Sequence, residues 1–477
     1  MLSQEKHLKR NTKKKNPLIE TRVCQMWLNS LSSFDHDFLF KLSTHSSLMY
    51  NFALYQIRQN YFKSNLLSFK DNYHLCKNNE HFSILLNDCS QQVVQLAHRD
   101  FNSFLGLLKA KKKGTYTKEV KIARYKKKNN ETVLSNIVIQ GRSIRIDHKQ
   151  SSKLDNVNIF KFNASKAFKL LYPNTSHSFE FQVPKHIQTI NEIRIIPHGK
   201  APVQFKLEVV YKTTIETKKD DNGQYLSIDP GLNNLVGCFN SKNGQSFIID
   251  GKYIKSINHF YNKKSSKLQS KIDLRKNEKL ETNDLIKKKN KLTHKRNNKI
   301  NDYFHRSTKF IVDYCVKHNI NKIIVGENKE QKQDINIGKI NNQNFVFIPH
   351  AKFKDVLEYK AKAKGIEVVR CEESYTSKTS FIDLEPMKHQ ESYLGRRTKR
   401  GMFKSKEGIL INSDINGAAN ILRKYLESSG KFKEWRDLYF KEASKGIVNY
   451  PKKQTLISLL IKSGFNKTKK APSFRAG

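Results

Sequence analysis

The chain is predicted to be a multidomain α+β protein. A β-rich N-terminal half with a block of helices inserted in it precedes an α/β domain that carries a basic insertion. Three observations predict this. The 477 residues are too many for one compact core at roughly 100–200 residues per domain. Apolar residues recur at helical spacing over 35–110 and alternate from about 130 to 211, the periods of helix and strand. Beyond residue 222, short apolar runs alternate with amphipathic helical stretches, which is α/β patterning.

Charge bounds the partners. The formal net charge is +46 and the pI is about 9.9. A surface this basic fits a polyanion, with nucleic acid the first candidate. A lysine-rich chain from an AT-rich genome is the bland alternative, and it leaves the aromatics interleaved with the basic runs unexplained. No run of about 18 apolar residues exists to span a membrane, and Met1-Leu-Ser-Gln-Glu-Lys-His-Leu-Lys has no apolar signal core. The reading is therefore an intracellular, cytoplasmic protein with no membrane partner. Cys24, Cys76, Cys89, Cys238, Cys315 and Cys371 form no CxxC pair, which argues for reduced buried thiols over disulfides or a zinc finger.

Residues 1–16 form a basic arm with Lys13-Lys14-Lys15. A β-rich domain, barrel or sandwich, is expected over 17–34 and 115–215, with strands in Thr132–Asp147, Ser178–Val183, Glu192–Ile196 and Pro202–Tyr211. In the last of these, Val203, Phe205, Leu207 and Val209 share one face. The inserted lobe, 35–114, holds a helix from Asp35 to about Phe62. A second helix carries Val94, Ala97, Phe101, Phe104 and Leu108 on one stripe and ends at Gly114, a suitable C-cap. The α/β domain covers 222–370 and 413–440. It has three antiparallel strands over 225–249 with a turn at Ser241–Gly244, and then one long basic helical stretch from Ile257 to about His318. A strand at Lys322–Val325, a helix at Ala351–Lys364, a strand at Gly365–Val369 and a helix from Asp414 complete it. Residues 371–412 are a loop-rich basic insertion, and 441–477 a basic tail with one apolar segment, Leu456–Ile461.

Three carboxylates fall at element boundaries: Asp229 ends the first strand, Glu327 follows the fourth, and Asp414 opens the last helix. The element order is that of an RNase H-like domain, in which the first and fourth strands are neighbours and the final helix crosses them. Such a fold would gather the three. Converging carboxylates suit a pair of Mg²⁺ (or Mn²⁺) ions and in-line phosphodiester displacement. Each also has a plain reading: Asp229 as a turn residue in Asp-Pro-Gly, Glu327 as an exposed strand end, Asp414 as a helix cap.

Ser227-Ile-Asp229-Pro-Gly231-Leu-Asn-Asn234-Leu, Val325-Gly-Glu327-Asn-Lys329 and Asp414-Ile-Asn416-Gly-Ala-Ala-Asn420-Ile-Leu resemble the three RuvC motifs of transposon-encoded TnpB nucleases, relatives of type V CRISPR effectors. Asp302-Tyr-Phe-His305-Arg-Ser-Thr308 and Ser374-Tyr-Thr376-Ser-Lys-Thr379 fit the same family. The resemblance is strong over about 222–425 and weaker over 35–215, where the family has a wedge β-barrel with an inserted helical recognition lobe. It implies an RNA-guided DNA endonuclease of a prokaryotic transposon, nucleoid-associated, whose guide RNA comes from the transposon end. Such an enzyme cuts double-stranded DNA beside a short target-adjacent motif, with Asp229, Glu327 and Asp414 holding Mg²⁺. Two alternatives remain: a catalytically silent, repressor-like guided DNA-binding protein, and a DNA-binding accessory of transposition.

One departure stands out. The family carries a four-cysteine zinc ribbon between the last two motifs. Here Ser380 and Asp383 align with the first CxxC, and Lys404 and Glu407 with the second, so no zinc is expected. The insertion is basic instead, with Arg396, Arg397, Lys399 and Arg400, beside Phe381, Tyr393 and Phe403. Those four basic residues, together with Tyr50, Asn51, Gln91, Gln92, Arg99 and His305, are the candidate nucleic-acid contacts.

Overall fold

The structure is a computed structural model, and it describes residues 18–128, 131–198, 203–231, 233–327, 349–399, 401–443 and 451–462. The basic arm over 1–16 and Arg400 lie outside these. The chain divides into two compact units, Ile19–Thr214 and Ile215–Gly477, the latter grouped with Met1–Leu18.

The N-terminal unit has seven principal strands: β1 (Leu18–Trp27), β2 (Ile137–Gln140), β3 (Arg145–Ile146), β4 (Val157–Asn163), β5 (Ser178–Pro184), β6 (Glu192–His198) and β7 (Gln204–Ile215). They pair as a four-stranded sheet, β1-β7-β6-β2, and a three-stranded sheet, β3-β4-β5. Where a barrel or sandwich is expected, the described residues form these two sheets. The predicted strand over 132–147 is broken by a 3₁₀ turn at Gly141–Ser143, so β2 and β3 join different sheets. At Gly141 an added Cβ would lie 1.9 Å from the Ile190 carbonyl oxygen, so only glycine allows this approach.

Four helices lie between β1 and β2, namely α1 (Ser33–Phe62), α2 (Phe69–Lys77), α3 (Glu80–Ile84) and α4 (Asn87–Lys112), and the short α5 (Lys166–Leu171) follows β4. Ser32 caps α1 by accepting the Asp35 N–H at 3.0 Å. Gly114, at φ +73°, closes α4 as expected. Phe38, Leu42, Val94 and Ala97 from the helices share one core with Ile193, Phe205 and Leu207 from the first sheet and Phe160 and Phe181 from the second.

The C-terminal unit is a six-stranded sheet in the order β12-β11-β8-β9-β10-β16. Its strands are β8 (Tyr225–Pro230), β9 (Asn234–Asn240), β10 (Ser246–Asp250), β11 (Lys322–Glu327), β12 (Glu367–Glu372) and β16 (Lys452–Gln454). β8 pairs with β9 antiparallel and with β11 parallel, with Ile228 opposite Val325. The alternation of side chains along a strand gives the sheet two cores. Leu226, Ile228, Ile323 and Val325 face helices α6 (Lys252–Asn277), α7 (Asn283–Lys317) and α8 (His350–Lys362). Tyr225 and Ile324 face helix α9 (Ser413–Ser428) and α10 (Phe432–Ala443).

Two expectations change here. The single basic helix over 257–318 is a hairpin of α6 and α7, broken where Lys279 adopts φ +55°. The tail over 441–477 is not all free of the domain: β16 pairs with β10, and Leu459 in α11 (Leu456–Lys462) is 2% exposed in the core. The insertion over 371–412 carries a small antiparallel sheet of β13 (Arg396–Lys399), β14 (Met402–Lys404) and β15 (Leu410–Asn412), built over the buried rings of Phe381 and Phe403.

Candidate active site

Asp229 sits at the end of β8, on the sheet face covered by α9. The close approach of that helix is a matter of small residues. An ideal Cβ on Gly417 would be 2.2 Å from Asp229 Oδ2, and one on Gly237 would be 2.9 Å from the Asp414 carbonyl oxygen. Asn412 caps α9, its side chain accepting the Asp414 N–H at 3.0 Å. Asp414 therefore stands in the first helical turn, and Asn234 Nδ2 donates to its Oδ2 at 2.5 Å. Asp229 and Asp414 thus converge from strand and helix.

Glu327 lies elsewhere. Alternation along β11 puts Ile324 and Gly326 on the α9 face, and Val325 and Glu327 on the α8 face. Glu327 Oε1 accepts from Arg370 at 3.1 Å, and Arg370 also reaches Asp355 at 3.2 Å and Glu358 at 3.1 Å on α8. The carboxylate that approaches Asp229 is Glu373, just past β12. Its Oε2 lies 2.6 Å from where a Cβ of Gly326 would stand. Gly326, which separates Glu327 from the apolar run of the strand, leaves that space to Glu373.

The loop holding Glu373 is fixed from α9. Asn416 donates to the Thr379 carbonyl at 2.8 Å and accepts the Phe381 N–H at 3.0 Å. Asn420 donates to the carbonyls of Thr376 at 2.9 Å and Thr379 at 2.8 Å. Both asparagines are fully buried, where an amide without partners would be costly. The two motifs legible in the sequence, 374–379 and 414–422, are therefore two halves of one clamp.

Electrostatics mark the floor of the site. Burial pushes the Asp229 carboxyl well above its ordinary value, and the charges of Asp414 and Glu373 push it further, against a smaller pull from Arg397. Burial also raises Glu373, opposed by Lys354 and reinforced by Glu372 and Glu327. Above this floor opens a cavity of about 1370 Å³, lined by Asp229, Asp414 and Glu373 below and by Lys252, Lys255, Arg397, Lys399 and Lys453 around it. An anionic floor under a cationic wall suits a phosphodiester that must meet cations. All-oxygen donors that repel one another fit a hard divalent cation. Among the described residues no three such side chains close around one point, so water and phosphate would complete any ion's shell.

The zinc-ribbon position fails the corresponding test. The two facing turns are Ser380–Asp383 and Ser405–Gly408, the second one residue beyond the expected Lys404 and Glu407. Ser405 Oγ accepts the Ile409 N–H at 3.0 Å, and Asp383 Oδ2 accepts the Lys406 N–H at 2.9 Å. Hydroxyls and a carboxylate hydrogen-bonded to backbone stand where a structural zinc takes thiolates and imidazoles.

The other candidates divide. Arg397 and Lys399 line the cavity; Arg396 is exposed on the same strand and does not. Tyr50 is 2% exposed and donates to Asp100 at 2.8 Å, and Asn51 holds the Lys126 backbone from both sides; both are engaged inside the N-terminal unit. Gln91 and Gln92 line a second cavity of about 430 Å³ with Gln140, Arg142 and Asn191. Arg99 is exposed on α4. His305 sits on α7, with Nδ1 3.2 Å from the Tyr359 hydroxyl, outside the cavity lining. Sequence reasoning missed Glu373, Lys252, Lys255 and Lys453. For Glu373 the available signal was the pair Glu372-Glu373 ending a strand beside the one that ends at Glu327.

The fold is mixed α+β, and its carboxylates meet between a central sheet and the last helix, under a basic wall. A family model described as "Probable transposase" (OrfB of IS605) matches residues 207–332, and one described as "Cas12f1-like, TNB domain" matches 350–421. A TnpB-like protein, ORF457, of Acidianus two-tailed virus is 21% identical over 416 residues, covering 82% of this chain and 84% of the relative. A TnpB-like protein of Methanocaldococcus jannaschii is 25% identical over 179 residues, 36% of this chain and 59% of the relative. Among solved structures, a Cas12f1–sgRNA–target DNA complex shares the fold with a TM-score of 0.52 at 13% identity, covering 82% of this chain and 83% of that one. The chain is thus similar to OrfB-type transposase proteins over 207–332 and, at low identity, to TnpB-like proteins over most of its length.

Proposed function

We propose that the protein is an RNA-guided DNA endonuclease that hydrolyses phosphodiester bonds with two divalent cations, Mg²⁺ or Mn²⁺, in an RNase H-like domain of RuvC type. The observation that carries this reading is the convergence of Asp229, Asp414 and Glu373 on one face of the sheet, beneath a cavity walled by lysine and arginine. Asp229 and Asp414 would hold the ions, with Glu373, in place of Glu327, as the third carboxylate of the site. Bound cations would activate water and stabilise the leaving oxygen. Asn234 orients Asp414, Gly417 leaves room for Asp229, and Asn416 and Asn420 position the Glu373 loop. Arg397 and Lys399 bind the phosphates on either side of the bond to be cut. A guide RNA from the transposon end pairs with the target strand, and a short motif beside the target is read on duplex DNA, as in the family. The Gln91–Gln92 cavity has the amide donors and acceptors for such reading.

The test is plasmid cleavage with the RNA that copurifies with the protein. Asp229→Ala, Asp414→Ala and Glu373→Gln should each lower cutting by roughly 100-fold or more with RNA binding retained. Glu327→Gln should leave it within about threefold. Loss on Glu327→Gln with Glu373→Gln active would restore the motif-based triad. The pairing of Glu327 with Arg370 also favours a second reading, a guided DNA-binding protein that has lost cleavage. Wild-type protein that binds its target with Mg²⁺ and never cuts would establish it.

A further inference from the structure

The hairpin of α6 and α7 is not explained by the active site. At its base Ile254, Ile257, Ile300, Tyr303 and Phe304 are buried in the domain core. Over 259–299 only Ile272 and Leu285 are buried. The two helices hold each other there by polar contacts: Tyr261 with Thr293 at 3.1 Å, Arg296 to Asn258 at 2.8 Å, and Arg275 to Asp284 at 2.7 Å. Phe260, Leu274, Leu280 and Ile286 are exposed there, and helices that bury so few apolar side chains have little packing to stabilise them alone. This arm carries 14 Lys and Arg against four Asp and Glu. Lys264, Lys267 and Lys271 are exposed at spacings of three and four residues, so they share one face over about 10 Å of helix. None of them is ion-paired with a described carboxylate. On α7, Lys291 and Lys295 repeat the pattern.

We propose that this arm is a docking surface for the sugar–phosphate backbone of the guide RNA, an inference that rests on the guided reading above. Charge complementarity selects a polyanion. Lysines, as point charges without a planar fork, grip phosphate without reading bases. An arm with so small a core needs a partner bound throughout the life of the complex, which the guide RNA is and the target DNA is not.

The test compares the full chain with Lys264→Gln/Lys267→Gln/Lys271→Gln and, separately, Lys291→Gln/Lys295→Gln. Binding of the RNA that copurifies with wild type is titrated from 50 to 400 mM NaCl. The triple variant should bind about tenfold or more weakly at 150 mM and lose roughly two to three from the slope of log K against log salt. Hydrogen exchange over 259–299 should slow on RNA binding in wild type and less in the variants. An unchanged slope and unchanged protection would make the arm a solvated face and overturn the proposal. So would a slope change confined to target-DNA loading of the preformed complex, or binding of the arm to phosphatidylserine vesicles that excess RNA does not displace. The absence of any discrete RNA in the wild-type preparation would instead sink the guided reading. Bulk transfer RNA then serves as the probe, and the same slope comparison still decides whether the arm holds RNA.

Discussion

Asp229 shows how the site trades stability for chemistry. Its folded-state pKa is raised by burial and by Asp414 and Glu373. The native protein therefore binds a proton more readily than the unfolded chain, and this residue's contribution to stability is lost as pH rises from the ordinary carboxylate range through the folded value. At pH 7.5 without divalent ions, Asp229→Asn should raise Tm by about 2–4 °C while abolishing cleavage, and the gain should shrink toward pH 4. Mg²⁺ should raise the wild-type Tm and do so less for the variant. Thermal melts at pH 4, 6 and 7.5 with and without Mg²⁺ check this, and a destabilised Asn variant at pH 7.5 would contradict it. Asp229 and Asp414 were legible in the sequence because a strand end and a helix start are marked locally, by Asp-Pro-Gly and by a cap. Glu327 turns away from them because strand parity matters more than sequence position. One residue of shift turns a side chain to the other face, and the register of β11 against β8 is a long-range fact.

At the scale of elements, the insertion is held by hydrogen bonds to backbone over an apolar pair of rings. Its two turns are closed by the hydroxyls of Ser380 and Ser405 and joined by the Asp383–Lys406 contact, over Phe381 and Phe403. Glu385, fully buried, accepts the N–H groups of Ser380 and Leu394, both at 2.7 Å. Asp383→Ala should cost about 1 kcal/mol, the usual worth of one such hydrogen bond. A zinc chelator should leave the Tm of the purified protein unchanged. A chelator-induced drop of several degrees, or stoichiometric zinc by elemental measurement, would overturn the metal-free account. That none of the four aligned positions is a cysteine was plain from the sequence, but the partners of the residues there were not. They come from backbone N–H groups, whose placement no residue identity reveals. The break between α6 and α7 was hidden for a similar reason: the basic pattern continues through Lys279, and only the left-handed backbone there ends the helix.

For the whole molecule, the net charge of +46 must be treated as an energy as well as a signal. Like charges repel in the compact state, and the repulsion is screened over about 10 Å at 0.1 M salt and about 3 Å at 1 M. The same salt weakens RNA binding, because the release of counterions is less favourable at higher concentration. The two effects have opposite signs, so the salt dependence of stability should reverse with the state of the protein. Stripped of nucleic acid, the chain should become more stable as NaCl rises from 0.1 to 0.5 M. In complex with its RNA it should become less stable over the same range, since the binding contribution to stability falls with affinity. Melting curves of the stripped and RNA-loaded protein at 0.1, 0.25 and 0.5 M NaCl would show the two trends converging. Parallel trends would mean that the basic surface is compensated within the chain and that RNA contacts few of its lysines.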